Sequence, residues 1–145
     1  MPNLLISAEQ VDEALARGQG GFFLVKPGWY VATIDSSQVS EPVVGDGWTR
    51  LDNFRFEIAD AVPFDGGDPR KTVIRKNVFI GDLVHLAKAV GVPVENGRAF
   101  TVNTGAFNSR EVGVRVGVRK RSGYSDTAEI YEYASPADAI AKRGR

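Results

Sequence analysis

The segment from Val112 to Arg121 has the residue pattern with the clearest potential for binding chemistry. Its four valines alternate with glycine and arginine in the order VGVRVGVRKR. In a regular strand successive side chains point to opposite faces, so the valines predict a buried face opposite a face of glycine and arginine. Glycine lets a ligand backbone approach closely, and arginine presents forked donors to phosphate. The pattern therefore predicts a shallow cationic groove on this strand.

Aromatic residues near this groove favour single-stranded nucleic acid as its ligand. Such a ligand needs positive charge along a track and rings on which its bases stack. Tyr124 lies in the loop after the groove strand, and Trp48 lies at the end of the first long loop. The predicted nucleic-acid-binding residues are Arg115, Arg119, Lys120, Arg121, Tyr124 and Trp48, with Arg55, Arg75 and Lys76 as secondary candidates. The alternatives for the arginine face are a solvated, edge-protecting surface and a contact for a protein partner.

Residues typical of catalytic or metal sites are scarce in this sequence. There is no cysteine and one histidine, His85, which argues against thiolate catalysis, zinc binding and a histidine triad. Asp60, Asp65 and Asp68 lack the spacing of a calcium-binding EF-hand and are typical of a solvated turn. We therefore expect a protein without catalysis, metal or cofactor.

Charge is distributed unevenly along a chain whose formal net charge is zero. Residues 1–69 contain 4 Lys and Arg against 11 Asp and Glu, a balance of −7, whereas residues 70–145 contain 14 against 7, a balance of +7. Such a division can create a basic surface on a neutral protein, which suits an anionic ligand. The alternative is that the two halves interleave in the fold and their charges mix.

Periodicity predicts a single mainly β domain spanning residues 1–145, with a barrel core over 22–134. The 145 residues suffice for one core, and no apolar run approaches the length of a membrane helix. In chain order the predicted elements are a helix at 7–17, three strands ending near residues 34, 58 and 79, a helix capped by Asp82, strands near 112–121 and 128–133, and a short helix and tail at 135–145. Five strands with a helix between the third and fourth are typical of an OB-fold barrel. The absence of cysteine fits a cytoplasmic protein, and the N-terminus shows no signal-peptide pattern.

Several segments in chain order form a recognisable series: Pro27–Ile34, Gly45–Gly47 leading into Phe54–Ile58, Leu86–Gly91, Arg110–Val116 through Tyr124, and Glu129–Tyr133. In this order they resemble a family of small phage-encoded proteins long described only as a domain of unknown function. The resemblance covers about three quarters of the chain, from Pro27 to about Pro136. Two features differ: the chain ends in Lys142-Arg143-Gly144-Arg145 instead of an acidic tail, and the segment from Ala61 to Arg70 is more acidic than the family pattern.

The resemblance implies an OB-fold-like single-stranded DNA-binding protein that acts in phage replication or recombination in the host cytoplasm. Its expected partners are single-stranded DNA, with RNA as an alternative, together with replication or recombination proteins and other copies of itself. No membrane partner is expected. The second hypothesis is a protein-interaction module, such as a phage structural or accessory assembly protein, that pairs through an exposed strand edge.

Overall fold

The computed structural model describes residues 4–11, 23–92, 94–95, 97, 104–120, 123 and 126–143. The predicted N-terminal helix is described at residues 8–11, and its remaining residues lie outside the described part of the chain. Its first residues form a capping box, because the Ser7 hydroxyl accepts a hydrogen bond from the Gln10 amide (3.1 Å) and the Gln10 side chain accepts one from the Ser7 amide (3.0 Å).

Six strands and two α-helices make up most of the described chain. The strands are β1 (Gly28–Asp35), β2 (Val43–Gly45), β3 (Trp48–Ala61), β4 (Arg70–Phe79), β5 (Glu111–Arg119) and β6 (Thr127–Ala134). The helices are α1 (Ile80–Ala89) and α2 (Pro136–Arg143), and a short 3-10 helix spans Thr104–Phe107. The mainly β class is therefore confirmed.

Two details of the predicted elements are wrong. The region 36–47 was expected to be a loop, but it contains β2, which forms a hairpin with β3 around Asp46 and Gly47. Because β2 has three residues and a largely exposed surface, it lacks the apolar alternation that reveals a longer strand. Asp82 does not cap α1: the helix begins at Ile80 with Phe79 as its N-cap, and Asp82 lies within the first turn.

All the sheet contacts recorded between strands are antiparallel, and the long strands follow the order β4-β3-β1-β5-β6. β2 pairs with the first residues of β3, beside β1. Since each neighbour reverses direction, β4 and β6 at the two ends of this order run parallel to each other. They also come close together, because the Lys76 ammonium on β4 donates a hydrogen bond to the Ile130 carbonyl on β6 (2.5 Å).

The core lies on one face of this sheet, and α1 packs against it. The side chains of Phe54, Phe56 and Ile58 are fully buried, as the alternation along β3 predicts, and α1 contributes Leu83 and Leu86. Of the four β5 valines that were predicted to face the core, Val112, Val114 and Val116 are buried and Val118 is half-buried. Burying a side chain of this size contributes ~1.5–3 kcal/mol, so the core fixes which face of each strand points outward.

The predicted C-terminal helix is present and covers part of the outer face of β1 and β5. The Ser135 hydroxyl caps it by accepting a hydrogen bond from the Asp138 amide (3.2 Å), and Ala139 is fully buried. Within the described residues, neither α-helix has the length and apolar character to cross a membrane.

Candidate nucleic-acid interface

An exposed aromatic platform forms where the β2–β3 hairpin meets the start of β3. Gly45 and Trp48 are opposite each other, and the Trp48 indole lies directly over Gly45. A Cβ atom on Gly45 would lie 2.0 Å from Cε2 of the indole, so only glycine permits this ring position. Gly47 closes the hairpin with a φ of +79°, a conformation that glycine adopts without strain. Trp48 is 41% exposed, which leaves ring surface available to a ligand.

Phe79 and Arg50 extend this platform across β3 to the end of β4. The Phe79 ring lies 5.8 Å from the Trp48 ring in a T-shaped arrangement, and Phe79 is 43% exposed. Arg50 is paired in register with Phe79, and its guanidinium carbon lies 5.3 Å from the Trp48 ring centroid and 5.8 Å from that of Phe79. Both aromatic side chains therefore flank one cation. A cavity of about 480 Å³ opens beside them, and its lining includes Val44 and Ile80.

A second cavity, of about 510 Å³, adjoins the first and shares Phe79 with it. Its lining brings together residues from β3, β4, α1, β5 and β6 that are distant in sequence: Arg50, Arg75, Lys76, Asn77, Phe79, Asp82, Arg119 and Glu129. Four of these residues carry positive charge and two carry negative charge. Such a cavity attracts anions while its acids limit the strength of that attraction.

Each cation in this cavity already contacts an acidic group of the protein. Arg50 forms a two-pronged ion pair with Asp52 (2.5 and 3.0 Å), and Arg75 forms an ion pair with Glu9 of the N-terminal segment. Arg119 lies 3.6 Å from Glu129. These exposed or half-buried pairs contribute ~0–1 kcal/mol each to stability, so a phosphate group can replace the carboxylate at modest cost.

Lys76 has a different role from the one its sequence position indicates. Its side chain is 14% exposed, and its ammonium donates to the Ile130 carbonyl and lies 3.3 Å from Glu129 Oε1. It shares the core-facing side of β4 with Ile74. Lys76 therefore links the edges of β4 and β6. Because its ammonium already contacts the Ile130 carbonyl and Glu129, it is poorly placed to contact a phosphate.

The glycines of β5 do not form the open groove that the sequence predicts. A Cβ on Gly113 would lie 2.5 Å from Ala139 Cβ, because α2 covers this position, and a Cβ on Gly117 would lie 2.7 Å from the Tyr131 ring. Both glycines instead allow another part of the protein to pack closely. The expected groove is therefore wrong for a physical reason: strand alternation identifies an outward face but not what packs on it.

The predicted site residues separate into three groups. Trp48, Arg75, Lys76 and Arg119 line the two adjoining cavities. Three other predicted residues lie away from these cavities. Arg55 is half-buried on β3, in register between Asp35 and Arg75. Arg115 is ion-paired with Glu132 on the outer face of β5, and Lys120 is exposed just after β5. Arg121 and Tyr124 lie outside the described residues.

Comparison with known proteins finds no matching protein-family model and no matching curated protein.

Two residues of the interface, Arg50 and Phe79, were missed from the sequence. Phe79 ends a predicted strand, and Arg50 is an isolated charge at the start of another. Their cross-strand pairing, which no local pattern indicates, places them together. Among the described residues, no group of three or more metal-ligating side chains occurs.

Two titratable groups, Tyr133 and Asp35, have pKa values that differ from their usual ones for clear physical reasons. Burial raises the pKa of Tyr133 strongly, and the nearby Asp82 and Glu129 carboxylates raise it further. The Tyr133 hydroxyl lacks a hydrogen-bond partner among the described residues. At the end of β1, hydrogen bonds from Ser37 lower the pKa of Asp35, since its hydroxyl donates at 2.6 Å and its amide at 3.0 Å.

Proposed function

We propose that this protein binds single-stranded nucleic acid, with single-stranded DNA as the primary ligand, and that it does so without catalysis. One observation supports this most directly: the exposed Trp48–Phe79 pair adjoins a cavity lined by Arg50, Arg75 and Arg119. Bases stack on exposed rings with little regard to sequence, and arginines hold the backbone phosphates. We call the two adjoining cavities and their lining the aromatic–cationic surface.

Binding at this surface would proceed by exchange of anions. A phosphate entering the cavity would replace Asp52 beside Arg50, Glu9 beside Arg75 or Glu129 beside Arg119. The guanidinium groups keep their charge-assisted hydrogen bonds throughout, whereas the released carboxylates return to water. Because phosphate binding also releases counterions, affinity should fall with salt.

We further propose that the sheet is an OB-fold-like barrel, as in the phage-encoded single-stranded DNA-binding family that the sequence resembles. The strand order β4-β3-β1-β5-β6, the position of α1 between β4 and β5, and the link from Lys76 to Ile130 support this proposal. In such barrels the faces of the second and third long strands and the neighbouring loops bind oligonucleotides. Here those strands are β3 and β4, which supply Trp48, Arg50, Arg75 and Phe79.

Fluorescence anisotropy of a labelled oligo(dT) tests the proposed function, with duplex DNA and a mononucleotide as competitors. The three arginines of the cavity, each contacting one phosphate, predict that affinity falls roughly 20-fold between about 50 and 200 mM salt. Trp48→Ala should weaken binding at both salt concentrations, whereas Phe64→Ala should not. Phe64 is a suitable control because it is 50% exposed and follows the opposite end of β3. Absence of binding at micromolar protein and low salt would refute the proposal, and displacement by the mononucleotide alone would redefine the ligand as a free nucleotide.

A second candidate function, protein assembly through a strand edge, is favoured by β2. This short strand pairs with β3 on one side, and Val44 on it is 74% exposed. Unpaired backbone groups on such an edge can accept a strand from a partner. In this case Val44→Pro should abolish self-association or partner capture measured by light scattering, while Arg119→Glu should leave it unchanged.

A further inference from the structure

Tyr131 occupies an irregular position in β6 that turns its ring outward. Arg115 is opposite Glu132 and Val116 is opposite Ile130, so Tyr131 is the extra residue of a β-bulge. Its neighbours Ile130 and Tyr133 point inward, where Ile130 is fully buried and Tyr133 packs on Phe56. Bulges redirect a side chain in this way and are frequent beside functional sites.

The Tyr131 ring lies over a glycine and beside an arginine, as the Trp48 ring does. A Cβ on Gly117 would lie 2.7 and 3.0 Å from Cε2 and Cδ2 of the tyrosine, so the ring covers this glycine closely. The Arg115 guanidinium lies 5.5 Å from the ring centroid. Tyr131 is nevertheless 47% exposed, a larger fraction than for Trp48. The two places share one arrangement, an exposed ring on a cross-strand glycine with an arginine at its side.

The cationic cavity lies between these two rings in the order of the strands. Gly117 is opposite Glu129, and Glu129 lines the cavity together with Arg119, two residues further along β5. A strand of nucleic acid that leaves the cavity past Arg119 therefore reaches Tyr131 next. Arg115 would then contact the following phosphate in place of Glu132, whose carboxylate lies 3.1 Å from its Nε atom.

We propose that Tyr131, whose ring packs on Gly117 beside Arg115, is a second base-stacking subsite. It extends the aromatic–cationic surface across β6 and β5. This role rests on the single-stranded nucleic-acid binding proposed above. The occupant is a base of the same strand whose phosphates occupy the cavity. A stacked base contributes substantially to affinity, so the subsite should make binding depend on ligand length.

The test compares oligo(dT) of about 4 and about 16 nucleotides, the range of site sizes for one OB-fold. The wild-type protein should bind the longer ligand more tightly. Tyr131→Ala should weaken binding of the longer ligand by about 5- to 150-fold and leave the shorter ligand unaffected, whereas Tyr131→Phe should retain wild-type affinity because stacking needs only the ring. Gly117→Ala should displace the Tyr131 ring and therefore cause part of the affinity loss expected for Tyr131→Ala. Phe64→Ala serves as the control for losing an exposed ring.

The outcomes separate this subsite from the proposed function. If the wild-type protein binds neither ligand, the proposed function fails and the subsite with it. If Trp48→Ala weakens binding while Tyr131→Ala binds the longer ligand like wild type, only the subsite is refuted. An equal loss for both lengths on Tyr131→Ala also refutes it, since such a loss indicates a general structural role. Circular dichroism and thermal unfolding of each variant identify any loss that comes from misfolding.

Discussion

Replacing Gly45 with alanine should disable the Trp48 platform while keeping the tryptophan in the chain. The added Cβ would lie 2.0, 2.2 and 2.4 Å from three atoms of the indole. Carbon atoms in favourable contact are ~3.5–4.0 Å apart, so the ring must move by roughly 1.5–2 Å. A base stacked on an aromatic ring contributes ~1–3 kcal/mol, so losing the platform corresponds to an affinity loss of about 5- to 150-fold.

Anisotropy of labelled oligo(dT) should show this loss for Gly45→Ala and for Trp48→Ala, and the double variant should be no weaker than Trp48→Ala alone. A double-variant cycle of this kind isolates an effect that passes through one side chain. Gly81→Ala is the matched control, because Gly81 lines the same cavity and a Cβ there would meet nothing within 4 Å. Wild-type affinity in Gly45→Ala, or an equal further loss when it is added to Trp48→Ala, would refute the reasoning.

Three further predictions concern single side chains. Glu132→Gln removes the carboxylate beside Arg115, so the longer oligonucleotide should bind more tightly; an unchanged affinity would show that Arg115 contacts no phosphate. Glu9→Gln should tighten binding of both oligonucleotide lengths at low salt by removing a carboxylate that competes with phosphate for Arg75, and identical affinities would show that Glu9 does not compete. Tyr133→Phe removes a buried hydroxyl without a described partner and should raise the free energy of unfolding at neutral pH by roughly 1 kcal/mol in denaturant titrations; a marked loss would reveal an unrecognised hydrogen bond.

Tyr133→Phe should also change the dependence of stability on alkaline pH. Burial raises the folded-state pKa of Tyr133, so ionisation of this group leaves the free energy of unfolding unchanged below the unfolded tyrosine pKa of ~10 and lowers it as pH rises above that value. The phenylalanine variant should lose less stability over this range. Some loss should persist, because burial also raises the pKa of Tyr30, whose hydroxyl donates to the Lys26 carbonyl (2.7 Å). Identical pH profiles for the two proteins would contradict this assignment.

The sequence by itself determined the class of the fold and the inward faces of its strands. Alternation along β3 and β5 placed Phe54, Phe56 and three of the four β5 valines in the core, because exposing such side chains costs more than any local preference can offset. Capping residues likewise fixed the start of α2 and the end of α1, where Gly91 has a φ of +93°. These features depend on residues that lie close together in the sequence, so a local sequence pattern predicts them.

Only the tertiary structure decided which outward residues form a surface together. The sequence indicated an open groove along β5, but α2 covers Gly113 and Tyr131 covers Gly117. Conversely, Arg50 and Phe79 meet because β3 and β4 pair in one particular register, nearly thirty residues apart along the chain. Side-chain alternation states that a residue points outward; what it meets there depends on packing between distant segments, and that information exists only once the chain has folded.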